Sequence, residues 1–434
     1  MKARTILLAV TLLGGLAVER LAERSLAFAA SAPVDRAQFD AALVAKGARL
    51  AAIGNCATCH TREGGKPFAG GLALATPFGT IYSTNITPDA DTGIGRWSHE
   101  DFTRAMREGI GRSGRHLYPA FPYDHFTRVS DADIAALHAF IMTRDPEREE
   151  ARANRLKFPA AFRPMMAAWN ALYFKPGVYQ PDPAHGAEWN RGADLVEGLG
   201  HCGACHTPRN AMGAEEKGSE LGGGEAERWY ASSLREGSPA PVPWTADQLF
   251  DYLRTGHEVQ HGIAAGPMAT VDHNLASAAP DDVRAIAIYI ASRMRPQEAN
   301  GQNGPGALLA AVRPPSADSA DGAVPAEGGT VFAGACASCH IENPTAAGRH
   351  MVRLGLSTSM NAPDPRNAIH VTLEGLWPQP GERGALMPGF ASVLTDRQLG
   401  ALLIYLRARF TDKPAWSDVP ERVREIRAAM KEAP

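Results

Sequence analysis

One five-residue pattern constrains this chain more than anything else, because it is written three times: Cys56-Ala57-Thr58-Cys59-His60, Cys202-Gly203-Ala204-Cys205-His206 and Cys336-Ala337-Ser338-Cys339-His340. Two thiols at this spacing can add to the two vinyl groups of a haem. The histidine that follows then reaches the iron, so C-x-x-C-H reads as a covalent haem attachment site. Structural zinc is one rival, but it needs four ligands in a closed shell, and each cysteine pair here is far from the next. A dithiol redox pair is another, and it calls for a βαβ pattern that is missing around the motifs. The three motifs use all six cysteines of the chain. The expectation is three covalently bound haem c groups on Cys56, Cys59, Cys202, Cys205, Cys336 and Cys339. His60, His206 and His340 are then the proximal iron ligands, and no disulfides are expected.

At 434 residues the chain is long for one domain, which suits three small ones. Its formal charge of −3 argues against nucleic acid as a partner. Lys2 and Arg4 precede an apolar run from Ile6 to Val18, with small residues at Ala27–Ala29 and Ala30–Ala32. That is the layout of a secretory signal over residues 1–32, and it implies export to the periplasm. The run is too short to span a bilayer uncleaved, so attachment to a membrane would be peripheral.

The surroundings of the motifs repeat as well. A short helical stretch precedes each: Lys46-Gly47-Ala48, Arg191-Gly192-Ala193 and Gly329-Thr330-Val331. Small residues there allow a close helix crossing. A second helix opens at Ser98…Asp101 and Thr245…Gln248, each just after a tryptophan, with a hydroxyl and an acid or amide at capping-box spacing. These helices end near Gly109 and Gly256, and Gly375 closes the shorter third version. A last helix carries apolar positions Ile134, Leu137 and Ile141, repeated as Val283, Ile286 and Ile290 and again as Leu399, Leu402 and Leu406. The fold class is therefore all-α, as three tandem domains at 33–144, 186–293 and 328–411, each with one haem. Residues 145–185 read as an interface segment, 294–327 as a mobile linker and 412–434 as a tail.

A methionine sulfur on the sixth position raises haem potential relative to a second histidine. Met268 lies twelve residues beyond Gly256, and Met387 twelve beyond Gly375, both in Pro/Gly-rich loops, so both read as distal ligands. The same count from Gly109 reaches Phe121, and Met106 aligns with Leu253 as core. His125 is the favoured replacement, His116 the other; a five-coordinate iron is the third option. The loops Tyr82-Ser83-Thr84-Asn85 and Trp229-Tyr230-Ala231-Ser232-Ser233 carry donors suited to haem propionates. Met165, Trp169, Leu172 and Tyr173 fall on one face of a helix, as a strut or a docking surface. In the tail, Val419, Val423, Ile426 and Met430 make an amphipathic helix that either lies on a partner or bilayer surface or folds back on its own domain.

With these motifs the chain resembles the tri-haem cytochrome c subunits of bacterial membrane-associated dehydrogenases. The most specific stretches are Tyr82–Pro88, Gly93–Ser98, Asn190 through Asn210, and His261 through Met268. The resemblance implies class I cytochrome c domains in a periplasmic, membrane-bound complex. Electrons would pass from a large dehydrogenase subunit through three haems to ubiquinone or a terminal oxidase. Family partners are quinoproteins, flavoproteins, or molybdopterin subunits with iron–sulfur subunits. Phe121 stands where alcohol and gluconate dehydrogenase cytochromes carry Met, and Leu117–Tyr123 followed by Arg155–Pro159 looks more like the molybdopterin group. No paired carboxylates, nucleophile motif or nucleotide loop suggests substrate chemistry of its own. The rivals are a haem peroxidase working at an open first haem and a free multihaem carrier.

Overall fold

The computed structural model describes residues 35–294, 325–340, 353–377 and 387–432. The leader expected over 1–32, and most of the linker expected over 294–327, lie outside them. The chain divides into two compact units. One runs to Ala204 and adds Ala211–Ala214 and Ser277–Asp282; the other takes Cys205–Asn210, Glu215–Ala276 and everything from Val283 onward.

In the first unit, helix α1 (Ala41–Ile53) leads into the short motif helix α2 (Cys56–Cys59). A hairpin of β1 (Ala73–Thr76) and β2 (Gly79–Tyr82) follows, paired from Ala73↔Tyr82 to Thr76↔Gly79. Then come α3 (His99–Glu108), the turn α4 (Tyr123–Phe126), α5 (Asp131–Met142), strand β3 (Arg155–Leu156) on the edge of β2, and α6 (Met165–Tyr173). α7 (Ala187–Asp194) opens the second repeat and continues into a wider turn at Leu195–Leu199. α1 crosses α5 so closely that a Cβ on Gly47 would lie 1.9 Å from the Ala136 carbonyl oxygen. Ile134, Leu137 and Ile141 are fully buried in that crossing with Leu50 and Ile53; each such side chain contributes about 1.5–3 kcal/mol. α3 begins with the capping box of Ser98 and Asp101 and ends at left-handed Gly109 (φ 64°).

The second unit holds the motif helix end at His206 (α8, Gly203–His206), the hairpin β4 (Gly224–Ala226) and β5 (Trp229–Ala231), and α9 (Ala246–Thr255). β6 (His257–Glu258) pairs with β7 (Gly262–Ile263), ahead of α10 (Pro267–Leu275) and α11 (Pro280–Met294). The third repeat supplies α12 (Ala326–Ala335), the motif helix α13 (Ala337–His340), α14 (Thr358–Asn361), α15 (Arg366–Glu374), α16 (Asp396–Phe410) and α17 (Val419–Glu432). α12 crosses α16 as α1 crosses α5, but the contact glycine is Gly328 rather than Gly329: its Cβ would lie 2.2 Å from the Ala401 carbonyl. Thr245–Gln248 and Thr395–Gln398 both form capping boxes.

Three sequence expectations are refined. The chain is mostly helical, not all-α, because each of the first two repeats inserts a short hairpin after its motif. In α6 Trp169 is buried and Met165 and Tyr173 pack half-buried beside it as expected, but Met166 joins the buried face and Leu172 is 65 % exposed. The tail folds back: Val419, Val423 and Ile426 are buried on the third repeat, and Arg427 bonds Asp396 at 2.6 Å and the Leu394 carbonyl at 2.8 Å. No helix among the described residues is long and apolar enough to cross a membrane.

His138 on α5 is buried against Phe39, Phe102 and His99. Burial, with the neighbouring His99, lowers its pKa from 6.5 to about 4. The neutral ring is therefore the folded form, and stability present above the unfolded pKa is lost as pH falls from 6.5 through about 4. Denaturant titrations should show the first unit losing on the order of 3 kcal/mol across that window. His138→Phe should flatten the loss.

Candidate functional site

In all three motifs the side chains that would hold the group share one short helix, but the neighbouring loop decides what the histidine can do. His60 Nδ1 lies 2.7 Å from the Thr84 carbonyl oxygen, and His206 Nδ1 lies 2.6 Å from that of Ser232. A carbonyl only accepts, so each Nδ1 carries the proton and donates it. Each Nε2 is left with its lone pair, which is the tautomer an iron ligand needs. Burial lowers the pKa of His60, His206 and His340, so the rings stay neutral. The loops expected to wrap propionates also present a main-chain acceptor to the motif histidine, at Thr84 and at Ser232.

The hairpins bring those acceptors home. Gly70 N–H donates to the His60 carbonyl (2.7 Å) and Gly223 N–H to that of His206 (2.8 Å). A Cβ on Gly70 would sit 2.4 Å from the Thr84 carbonyl carbon, and one on Gly224 2.4 Å from the Cys205 oxygen. The residue after each of these histidines also belongs to the site: Thr61 Oγ1 accepts from Phe68 N–H (3.2 Å), and Thr207 Oγ1 from Leu221 N–H (3.1 Å). The signal was in the sequence, as a threonine directly after the first two motifs and isoleucine after the third.

None of the six cysteines is in a disulfide. Burial pushes Cys56 up to about 12, helped by Cys59, and raises Cys205 and Cys336. Redox-active dithiols need a lowered thiol pKa, so the cysteine environment opposes a disulfide-exchange role. Cysteines spaced for thioether bonds, beside a histidine locked with Nε2 open, fit covalent haem.

The distal side is less regular. Met268 is the second residue of α10, behind Pro267, and is half-buried. Met387, also half-buried, pairs with Leu376 through two main-chain hydrogen bonds of 2.9 and 3.1 Å. Equivalent pairings join Ile110 to His116 and His257 to Ile263, each starting directly after its helix-ending glycine. The equal count of twelve thus reaches two different places. By pairing, Met387 matches Ile263 and His116, because the third loop is longer before it turns back.

In the first repeat, Phe121 packs edge-on against Phe126, with ring centroids 5.2 Å apart. The adjoining Tyr123 is fully buried and donates to Asn170 Oδ1 (2.6 Å). That bond orients the Asn170 amide so that Nδ2 faces His116 Nδ1 at 3.4 Å. His116 is then the acceptor at Nδ1 and carries its proton on Nε2. His125, 9 % exposed, differs: its Nδ1 faces the Glu197 carbonyl at 2.9 Å, so it shares the tautomer of the proximal histidines.

Residues 44–145 match the family described as Cytochrome c, and residues 323–406 match Cytochrome C oxidase, cbb3-type, subunit III. The chain is 36 % identical to the gluconate 2-dehydrogenase cytochrome c subunit of Pantoea cypripedii, over 85 % of its own length and 86 % of that relative. It is 35 % identical to the alcohol dehydrogenase (quinone) cytochrome c subunit of Gluconobacter oxydans (strain 621H), covering 85 % and 78 %. A nicotinate dehydrogenase subunit from Pseudomonas putida is 48 % identical over 90 % of this chain, which spans only 32 % of that longer relative. The chain belongs to the cytochrome c subunits of dehydrogenases, electron-transfer proteins built on cytochrome c domains.

Thr207 is 1 % exposed, and removing its hydroxyl strands the buried Leu221 N–H, at a cost of about 1–3 kcal/mol. Thr207→Val should lose that much in denaturant titration, and Thr207→Ser should retain most of it. A Thr207→Val protein as stable as the parent would contradict the assigned role.

Proposed function

We propose that this chain binds three haem c groups covalently, at Cys56/Cys59, Cys202/Cys205 and Cys336/Cys339, with His60, His206 and His340 as proximal ligands. The observation that carries the reading is the repeated donation from the histidine Nδ1 to a main-chain carbonyl, at 2.7 and 2.6 Å. Each bound haem supplies a one-electron couple, whose potential the chain sets through axial ligands and burial. Met268 and Met387 are the distal ligands of the second and third haems. For the first, the tautomer of His125 favours it over His116.

Electrons enter from a partner dehydrogenase and leave to ubiquinone or a terminal oxidase, on the periplasmic face of the inner membrane with peripheral attachment. A molybdopterin-dependent partner with iron–sulfur subunits is the preferred class. Phe121 supports it, and so does the 48 % identity to the nicotinate dehydrogenase relative, against 36 % and 35 % for the gluconate and alcohol dehydrogenase relatives.

Pyridine haemochrome and iron analysis of the exported protein should give three haems per chain, and fewer would end this reading. His125→Ala should keep all three while opening the first iron to carbon monoxide. Failure of the variant to bind it would remove His125 as the ligand. Co-purification with a large dehydrogenase subunit, whose substrate then reduces the haem bands, tests the partner.

A further inference from the structure

The part of the second repeat from Cys205 to Ala276, apart from Ala211–Ala214, lies in one compact unit with the third repeat, and the two meet on the strand that serves His206. Ser232, whose carbonyl holds His206 Nδ1, directly follows β5. At the start of that strand Trp229 lies hard against Gly266, two residues ahead of Met268: a Cβ there would come within 2.3 Å of the indole. The same indole stacks on His370 of α15, with centroids 4.5 Å apart and planes 18° from parallel. His370 is 5 % exposed, and its Nδ1 is held 2.6 Å from Glu374 Oε1, which fixes the ring for the stack.

Beside this stack, Asn367 treats Tyr230 as a neighbouring strand would. Tyr230 N–H donates to Asn367 Oδ1 and Asn367 Nδ2 donates to the Tyr230 carbonyl, both at 2.8 Å. An edge strand's exposed main-chain groups must otherwise go to water or another strand; here one side chain of the third repeat satisfies both. Arg366 pairs with Glu225 on β4, and Thr358 donates its N–H and its hydroxyl to the His261 carbonyl, each at 3.2 Å. The contact is thus anchored at the proximal-histidine strand, beside the methionine loop and on α15.

We propose that Trp229, His370 and Asn367 are positioning residues that lock the third repeat onto the second and so hold the two haem-attachment sites at one separation. The inference rests on the three-haem reading above. Electron tunnelling falls off exponentially with distance, so a contact that keeps the gap from opening preserves the transfer rate. Trp229 of the second repeat, stacked on His370, and Asn367 of the third, bonded to Tyr230, set that gap at points tied to the second site.

The test uses the full-length holoprotein with nitroxides at Lys217→Cys and Ser392→Cys, exposed positions in the second and third repeats. Double electron–electron resonance should show a single narrow distance in this parent. Trp229→Ala and Asn367→Leu should each lose the single narrow population, and Trp229→Phe, which keeps a ring to stack, should restore it. Asn367→Leu touches only the Tyr230 main chain, so it reports even where Trp229→Ala fails to fold. A distribution that stays narrow in the Trp229→Ala/Asn367→Leu double variant overturns the proposal. Haem content measured on the same samples separates the two readings: three haems with an unchanged distance defeats the contact alone, and fewer than three in the parent defeats its premise.

Discussion

A proton on Nδ1 of His60 and of His206, given to a main-chain carbonyl, is the constraint around which the first two repeats are arranged. It decides which ring nitrogen is open, and it needs a carbonyl 24 or 26 residues further along the chain. Hairpins supply it. They return the chain to the motif, the glycines at 70, 223 and 224 let the backbones touch, and a threonine hydroxyl closes the loop. The helices give this arrangement a floor, since the α1–α5 crossing fixes the direction from which the motif helix arrives.

The parts that were legible in the sequence are those governed by period and by local hydrogen bonding. Three sets of apolar positions on the last helix of each repeat are buried as their spacing demands, and three capping boxes form where hydroxyl and acid or amide are three apart. The hairpins were not legible. Ala73–Thr76 alternates only between exposed and half-buried positions and Gly79–Tyr82 is half-buried throughout, so neither face of so small a sheet forms a core that the sequence could advertise. The exposure of Leu172 on α6 has a similar cause: Tyr123 and Ala214 pack on Met166 and Trp169, with Met165 and Tyr173 alongside, and only that tertiary surface leaves Leu172 out.

Distances along the chain mislead wherever a loop changes length. Counting twelve residues from a glycine treats the three loops as equal, yet Met387 pairs with Leu376 just as His116 pairs with Ile110 and Ile263 with His257, so by pairing it stands where they do. The loop without sulfur is also the one with the heaviest external support. Tyr118 donates to the Ala160 carbonyl, Arg163 to that of His116, and Tyr123 to Asn170.

Charge at the helix crossings shows how burial decides what a repeat keeps. The residues just before Gly47, Gly192 and Gly328 each pair with the first turn of the last helix of their repeat: Lys46 with Asp133 at 2.7 Å, Arg191 with Asp282 at 2.9 Å, Glu327 with Arg397 at 2.9 Å. The sign is inverted in the third. There Arg397 is 80 % exposed, a setting in which an ion pair is worth about 0–1 kcal/mol and either sign serves. Asp133 is only 6 % exposed and also takes Arg191 at 2.7 Å. A carboxylate so buried is tolerated only beside cations, and losing either would leave it with one partner where it now has two. The basic residue is therefore fixed at positions 46 and 191, and Arg191, facing Asp133, Asp194 and Asp282 together, ties the second repeat to the first.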